Sequence, residues 1–204
     1  MVRALHMSGY DPKRTFANLE PCPYIAAQML WAIASYFNPA GFQRKRANYR
    51  MFRERFIVPL VTVELAYGPN FELKESDADI LVQVRGRDVM WQKERLLNLA
   101  LQALPNDCKN VVAVDCEIIF GSDDWPQQVN RALKESVILQ PYSHVHDLPR
   151  DWVPAERLSI GTHCRQAVTF AISAGAPIPG CLGEFAWNGM FTYSRGFAWA
   201  ARRE

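Results

Sequence analysis

The sequence lacks the features that mark several large classes of protein. No Cys-x-x-Cys pair occurs among its five cysteines, which argues against a zinc site. The longest strongly apolar stretch, residues 24–37, contains Gln28 and Ser35 and is too short to span a bilayer. The first 14 residues have no apolar core of a secretory signal. These absences, together with an odd number of scattered cysteines, predict a soluble cytoplasmic protein without a membrane span.

The composition that remains is that of a globular protein. Apolar residues make up 49% of the 204 positions, which is enough for one α/β domain with a full core. The net charge of +2 neither favours nor excludes an anionic partner. The basic residues are nevertheless unevenly distributed. One short segment contains Arg44, Lys45, Arg46, Arg50, Arg53 and Arg55.

Apolar periodicity predicts strands that alternate with helices. The predicted strands are residues 30–37, 59–67, 80–84, 111–120 and 137–141. The predicted helices are residues 42–56, 89–104 and a segment that residues 122–124 cap and that ends near residue 136. This alternation predicts βαβ units, that is, an α/β fold with a mostly parallel central sheet flanked by helices. Residues 1–23 are interpreted as an N-terminal arm, and 24–204 as the domain.

The pattern is weaker after residue 141. Residues 142–164 have no clear period and are predicted to form a long loop that carries His144, His146 and His163. A helix is predicted over 165–174, and a further helix is predicted to begin at residue 196.

The fourth predicted strand carries two carboxylates one residue apart, Asp115 and Glu117. Residues two apart on an extended chain point the same way, so both would face one spot at the ligand-binding edge of a parallel sheet. Mg²⁺ and Mn²⁺ prefer such oxygen ligands, and a metal held there can hold a diphosphate. The alternative is a solvated acidic pair at a strand end. Cys116, between them, is predicted to point into the core and not to act as a nucleophile.

Two basic segments allow more than one interpretation. The helix that opens at residues 91–98 is either a solvated amphipathic helix or a helix start aimed at a phosphate-bearing ligand, with Lys93 as a point charge. The cluster over residues 44–55 is a solvated helical face, a pyrophosphate contact through Arg44 and Arg46, or a contact with a nucleic acid backbone.

Three blocks together resemble the GT-A glycosyltransferases. Residues 35–39 followed by a basic helix look like the first nucleotide-binding unit of that family. Residues 91–98 are similar to the helix that precedes the metal strand in β-1,4-galactosyltransferase-like enzymes. Asp115 to Glu117 fall where those enzymes carry their D-x-D motif. Residues 124–125, 137–141 and 196–204 are similar to galactosyltransferase-like proteins of phages and bacteria.

The resemblance implies a Rossmann-like GT-A fold that binds a nucleotide-diphosphosugar, most simply a UDP-sugar. It implies that Asp115 faces the ribose or the metal, and that Glu117 binds Mn²⁺ or Mg²⁺ bridging the diphosphate. Lys93 and Arg85 would stabilise the departing nucleoside diphosphate. The nucleotide contacts of the family map onto Tyr36, Asn38, Arg44 and Arg46.

The acceptor side is less defined by the resemblance. The acceptor hydroxyl belongs to a saccharide or to a modified nucleic-acid base, and Glu184 and Asp147 are the candidates for a general base. Two departures from the family pattern bear on activity. The third position of the motif is Glu instead of Asp, and the family continues past residue 204 into a Gly-rich acidic stretch. The chain is therefore expected to be C-terminally truncated, and a non-catalytic nucleotide-sugar-binding domain and a nucleic-acid-binding module remain alternatives.

Overall fold

The computed structural model of the chain describes residues 3–6, 30–87, 90–149, 164–176, 193–194 and 196–203, and for 3–6 it describes the backbone. The strands in these residues are β1 (Arg3–His6), β2 (Leu30–Phe37), β3 (Leu60–Ala66), β4 (Ile80–Arg85), β5 (Asn110–Asp115), β6 (Ile118–Phe120), β7 (Ile138–Leu139), β8 (His144–Asp147), β9 (Cys164–Ala167), β10 (Tyr193–Ser194) and β11 (Ala198–Arg202). The helices are α1 (Gln43–Glu54), α2 (Lys93–Gln102), α3 (Trp125–Ala132) and α4 (Val168–Ser173).

A six-stranded central sheet has the order β4-β3-β2-β5-β11-β7. The strands β4, β3, β2 and β5 are parallel, and β11 is antiparallel to both of its neighbours. The predicted fold class, α/β with a mostly parallel sheet flanked by helices, is confirmed at that level. The chain winds outward from β2 to β4 and then returns to place β5 on the other side of β2. Between β2 and β5 the strand order therefore reverses, which is the topological switch point of such sheets.

Helices cover both faces of this sheet because β2 is apolar on both sides. Leu30, Ala32, Ala34 and Tyr36 lie in one core with the aromatic residues of α1 and with α3. Ile33, which points the opposite way, lies in a second core with Leu96 and Ala100 of α2. A nearly continuous apolar run, interrupted here by Ser35, is typical of a parallel strand that is buried on both faces.

A second, five-stranded sheet has the order β10-β9-β8-β1-β6. Strand β1 pairs in parallel with β6 and antiparallel with β8. Residues 3–6, which the sequence pattern assigns to an arm, therefore form a strand inside this sheet. Strand β6 follows β5 after a turn, so the chain passes directly from the central sheet to the second one.

Several predicted elements after residue 110 were wrong. The single strand predicted over residues 111–120 is two strands, β5 and β6, in different sheets. The predicted loop over 142–164 contains the strand β8. The first residues of the helix predicted over 165–174 belong instead to the strand β9, and the helix α4 forms only after them. Both strands form because β8 pairs with β1 and with β9, and β9 pairs also with β10, contacts between distant residues that no local pattern shows. The strand predicted over 137–141 is limited to β7.

The helix predicted from residue 196 is instead the antiparallel strand β11. Its residues alternate between buried Ala198 and Ala200 and less buried Trp199 and Ala201, which is the period of a strand. Alanine favours helices intrinsically, but pairing along β5 and β7 outweighs that preference.

A buried carboxylate, Glu64 of β3, fixes the loop that follows this strand. Glu64 is 2% exposed, and its Oε1 accepts a hydrogen bond from the backbone N–H of Glu72 at 2.5 Å. Its Oε2 accepts bonds from the backbone N–H of Leu73 at 3.2 Å and from Nε2 of Gln83 at 2.9 Å. The loop is thereby held across the ends of β3 and β4.

Replacing Glu64 by Gln is expected to lower the free energy of unfolding by about 2 kcal/mol, because an amide offers one acceptor oxygen where the carboxylate offers two. Urea denaturation measures the change. The control is Glu75→Gln, a substitution at an exposed carboxylate, which should change stability by no more than about 0.5 kcal/mol. Equal effects of the two substitutions would show that the carboxylate of Glu64 does not hold the loop.

Candidate functional site

A cavity of about 260 Å³ lies at the carboxyl ends of β2 and β5. This is the switch point of the central sheet, where open α/β folds bind their ligands. Strand β2 contributes Ser35 and Phe37, and the end of β5 contributes Asp115. The described residues that line the rest of the cavity are Lys45, Leu65, Trp91, Gln92, Lys93, Leu96, Cys116 and Glu117.

Asp115 is held in place by the sheet. It lies opposite Ser35 in the parallel pairing of β2 and β5, and its backbone N–H donates to the carbonyl oxygen of Phe197 at 2.7 Å. Its carboxylate forms an ion pair with Nζ of Lys93, the first residue of α2. The side chains of Lys93 and Asp115 are 31% and 26% exposed, so the pair is partly withdrawn from water but still open to the cavity.

Glu117 lies in the turn that joins β5 to β6. Its Oε2 accepts a hydrogen bond from Nδ2 of Asn48, on α1, at 3.3 Å. The premise that Asp115 and Glu117 lie on one extended strand was wrong, because the chain turns at residues 116–117 to enter the second sheet. Both carboxylates nevertheless line the same cavity.

Cys116 lies in the core, as predicted, although it also borders the cavity. It is 5% exposed and lies in the core with Tyr49 and Trp125. Burial raises the pKa of its thiol to about 12, against the attraction of the nearby Lys45 ammonium. The thiol is therefore neutral at physiological pH, which excludes a role as a thiolate nucleophile.

Alkylation with iodoacetamide tests this assignment. At about pH 8, close to the ordinary pKa of a thiol, Cys116 is expected to remain unmodified in the native protein. Exposed Cys164 is expected to react, although partial burial raises its pKa as well. In urea both should react, and peptide mass spectrometry measures each site. Rapid native labelling of Cys116 would contradict its burial.

Tyr36 and Asn38 were predicted to contact a nucleotide, but they lie on the α1 side of the sheet. The Tyr36 hydroxyl donates to Glu72, and burial, followed by this carboxylate, raises the pKa of the phenol. The amide of Asn38 donates to Glu72 at 2.9 Å, and its oxygen accepts a bond from the backbone N–H of Phe42 at 2.9 Å. Neither Tyr36 nor Asn38 is among the described residues that line the cavity.

The predicted arginines also lie apart from the cavity. Arg44 is exposed and Arg46 half-buried on α1, and between them Lys45 reaches the cavity instead. Arg85 donates to the carbonyl oxygens of Gly68 and Pro69, the latter at 2.7 Å, and its guanidinium lies 4.5 Å from the centre of the Phe71 ring. Arg85 therefore fixes a turn and lines an adjoining cavity of about 650 Å³ beside α2, which shares Trp91 and Gln92 with the first cavity.

Of the two residues predicted as candidate general bases, the structure describes Asp147 and not Glu184. Asp147 is in the second sheet, where Nη2 of Arg165 lies 3.0 and 3.2 Å from its two oxygens. An acceptor hydroxyl would have to displace the guanidinium to reach this carboxylate. Glu184 lies outside the described residues.

Two residues near Asp115, Phe197 and Tyr142, were not predicted from the sequence. Phe197 has a positive φ of 72°, which directs its carbonyl oxygen to Asp115, and its ring lies 5.7 Å below the guanidinium of Arg165. A bulky residue in this region is strained, and such strain clusters at functional sites. Burial raises the pKa of Tyr142 to about 12, and the charge of Asp115 contributes to the shift. No sequence signal indicates this arrangement, since it depends on pairing between distant strands.

A divalent cation would find two protein ligands here. Among the residues that the structure describes, no group of three or more His, Cys, Asp or Glu side chains is arranged to hold a metal ion. Mg²⁺ is often bound by only one or two carboxylates, with phosphate oxygens and water completing the shell. Asp115 and Glu117 therefore fit a cation that a phosphate-bearing ligand shares.

A scan against protein-family models and a search of the curated proteins found no match for the chain. Within the described part of the chain, no helix has the length and apolar character needed to cross a membrane.

Proposed function

We propose that the protein is a metal-dependent glycosyltransferase of the GT-A type that takes its sugar from a nucleotide-diphosphosugar, with a UDP-sugar as the first candidate. The observation that carries the proposal is the convergence of Asp115, Glu117 and Lys93 on one cavity at the switch point of the sheet. Two acidic groups and a cation around a cavity suit a ligand that brings both a metal ion and phosphate oxygens.

The residues have complementary tasks in this proposal. Asp115 and Glu117 would hold Mn²⁺ or Mg²⁺, and the bound ion would supply positive charge against the charge that develops on the departing diphosphate. Lys93 neutralises Asp115 in the free protein. With a cation held by the carboxylates, the Lys93 ammonium at the start of α2 would be available to a phosphate oxygen, and the helix dipole there also favours an anion. Lys45 of α1 also lines the cavity and offers a second positive charge.

The order of the parallel strands supports the same ligand class. Counted along the chain, β2, β3, β4 and β5 are the first to fourth parallel strands of the central sheet. Across the sheet they lie in the order third, second, first, fourth, as in nucleotide-binding doubly wound folds. The same geometry also serves a domain that binds a nucleotide-sugar without transferring the sugar. Formation of a glycosylated product separates the two possibilities, because binding is common to both.

The nucleic-acid alternative loses part of its basis. Tyr49 and Phe52, the aromatic residues within the basic segment, lie on the buried face of α1 and are not accessible for stacking on bases. Contact with a nucleic acid backbone would rest on the exposed arginines alone.

Titration calorimetry with UDP, GDP and ADP tests the proposal. We expect one nucleoside diphosphate to bind in the presence of Mn²⁺, and to bind at least about tenfold more weakly with EDTA, because the cation links the carboxylates to the phosphates. Release of free sugar from the matching donor would then show turnover. The absence of binding heat with every nucleotide, for a protein that is folded by circular dichroism, would contradict the proposal.

A further inference from the structure

The outward side of α1 carries a concentration of positive charge. Arg44 and Arg50 of the helix and Arg55 just after it are exposed, and Glu54 is the acidic residue of the helix. Two other basic side chains of the segment, Lys45 and Arg53, are partly buried. Lys45 lines the cavity, and Arg53 forms an ion pair with Asp79 at 3.0 Å.

Large apolar side chains are exposed at both ends of this basic helix. Phe42, which immediately precedes α1, is 66% exposed, and Ile57, three residues after its end, is 50% exposed. Aromatic and aliphatic side chains in such positions are unfavourable in water. Their placement around exposed arginines combines the two features of a surface that binds a bilayer, namely apolar side chains to insert and basic ones to meet anionic headgroups.

We propose that the outer face of α1, with Phe42 and Ile57 at its two ends, docks on a membrane that contains anionic lipids. The arginines contact phosphate groups of the lipids, and the two apolar side chains enter the boundary between headgroups and acyl chains. This face is named the α1 docking face. The inference does not depend on the proposed enzymatic activity.

A nucleic acid fits the same face less well. Base recognition on single strands uses several exposed aromatic platforms, and of the described residues this face offers Phe42 alone, because Tyr49 and Phe52 of α1 are buried. An exposed Ile57 contributes nothing to contact with a phosphodiester backbone, whereas it favours insertion into a lipid surface.

Docking in this way would bring the cavity close to the lipid headgroups. Asn48 and Lys45 project from the same helix toward the cavity, where Asn48 contacts Glu117.

Vesicle flotation tests the α1 docking face on the whole chain. We expect the protein to float with vesicles of phosphatidylglycerol and phosphatidylcholine in equal parts, and not with phosphatidylcholine alone. The double variant Arg44→Gln/Arg50→Gln should lower the partition coefficient at least about tenfold at low salt, because two charges near the surface are lost. The variant Phe42→Ser/Ile57→Ser should remove the binding that persists at high salt.

Matched variants place the same chemistry elsewhere on the surface. Arg131→Gln/Lys134→Gln removes two exposed charges at and beyond the end of α3, and Val137→Ser/Ile138→Ser removes two exposed apolar side chains. Both should bind vesicles as the unaltered chain does, and thermal unfolding verifies that every variant is folded. The proposal is overturned if no anionic vesicle binds, if the controls lose as much binding, or if α1 supports binding of a polynucleotide and not of vesicles.

Discussion

Replacing Asp115 by Asn is expected to weaken Mn²⁺-dependent binding of a nucleoside diphosphate at least about 100-fold, because a first ligand of the cation loses its charge. Asp115 has this role in the proposed site because β5 ends there, beside β2, and because its backbone is fixed by Phe197. The amide keeps the size of the side chain and loses the attraction for both the cation and Lys93. Calorimetry with the nucleotide that binds the unaltered chain measures the effect.

The control for this substitution is Asp107→Asn, an exposed carboxylate that precedes β5 at the opposite end of the strand. The Asp107→Asn variant should bind the nucleoside diphosphate as the unaltered chain does. The loss of the partly exposed ion pair in Asp115→Asn should cost at most about 1 kcal/mol of stability, so a folded variant is available for measurement. Nucleotide affinity equal to that of the unaltered chain would exclude Asp115 as a metal ligand.

Replacing Trp125 by Ala is expected to lower the free energy of unfolding by about 3–5 kcal/mol, the usual cost of removing a buried aromatic side chain. Trp125 begins α3, is 2% exposed and stacks on Phe120 of β6 with 4.0 Å between the ring centres. It also contacts Phe56, which follows α1, at 5.6 Å between ring centres. One side chain therefore ties the start of α3 to a strand of the second sheet and to the segment after α1.

The comparison for this variant is Trp91→Ala, which removes a tryptophan that is 76% exposed. Urea denaturation should show a change within about 0.5 kcal/mol for Trp91→Ala, because little apolar surface is buried there. Similar stabilities of the two variants would mean that the contact between α3 and β6 contributes little to the fold.

The early elements of the fold were predictable because their signals are local. Strand β2 was predicted with its observed bounds, and β3 and β4 within one residue at each end. The helices α1 and α2 were predicted in the right places but too long, since apolar periodicity extends past the residues that complete helical hydrogen bonds.

The later elements depend on contacts between distant residues. The apolar run over residues 111–120 hides a turn because both β5 and β6 are largely buried, so no polar residue marks a boundary except the acidic pair itself. Strand β11 pairs with β5 although about 80 residues separate them in sequence. No pattern within a window of a dozen residues contains that information.

The site was predictable in its acidic and basic members and not in its geometry. Asp115, Glu117 and Lys93 were singled out from the sequence, and the structure brings them to one cavity. Tyr36 was chosen over Ser35 although successive residues of a strand face opposite sides, and periodicity alone does not tell which side opens to the cavity. Lys45 was part of a visible basic cluster, but only the packing of α1 distinguishes it from Arg44 and Arg46.

Diffraction at the manganese absorption edge, from crystals grown with UDP and Mn²⁺, would show whether the two carboxylates hold the cation. We expect one anomalous peak within coordination distance, about 2.2 Å, of a carboxylate oxygen of Asp115 or Glu117 and beside the diphosphate. Nucleotide bound at another place in the fold, or a manganese ion that contacts neither carboxylate, would contradict this expectation.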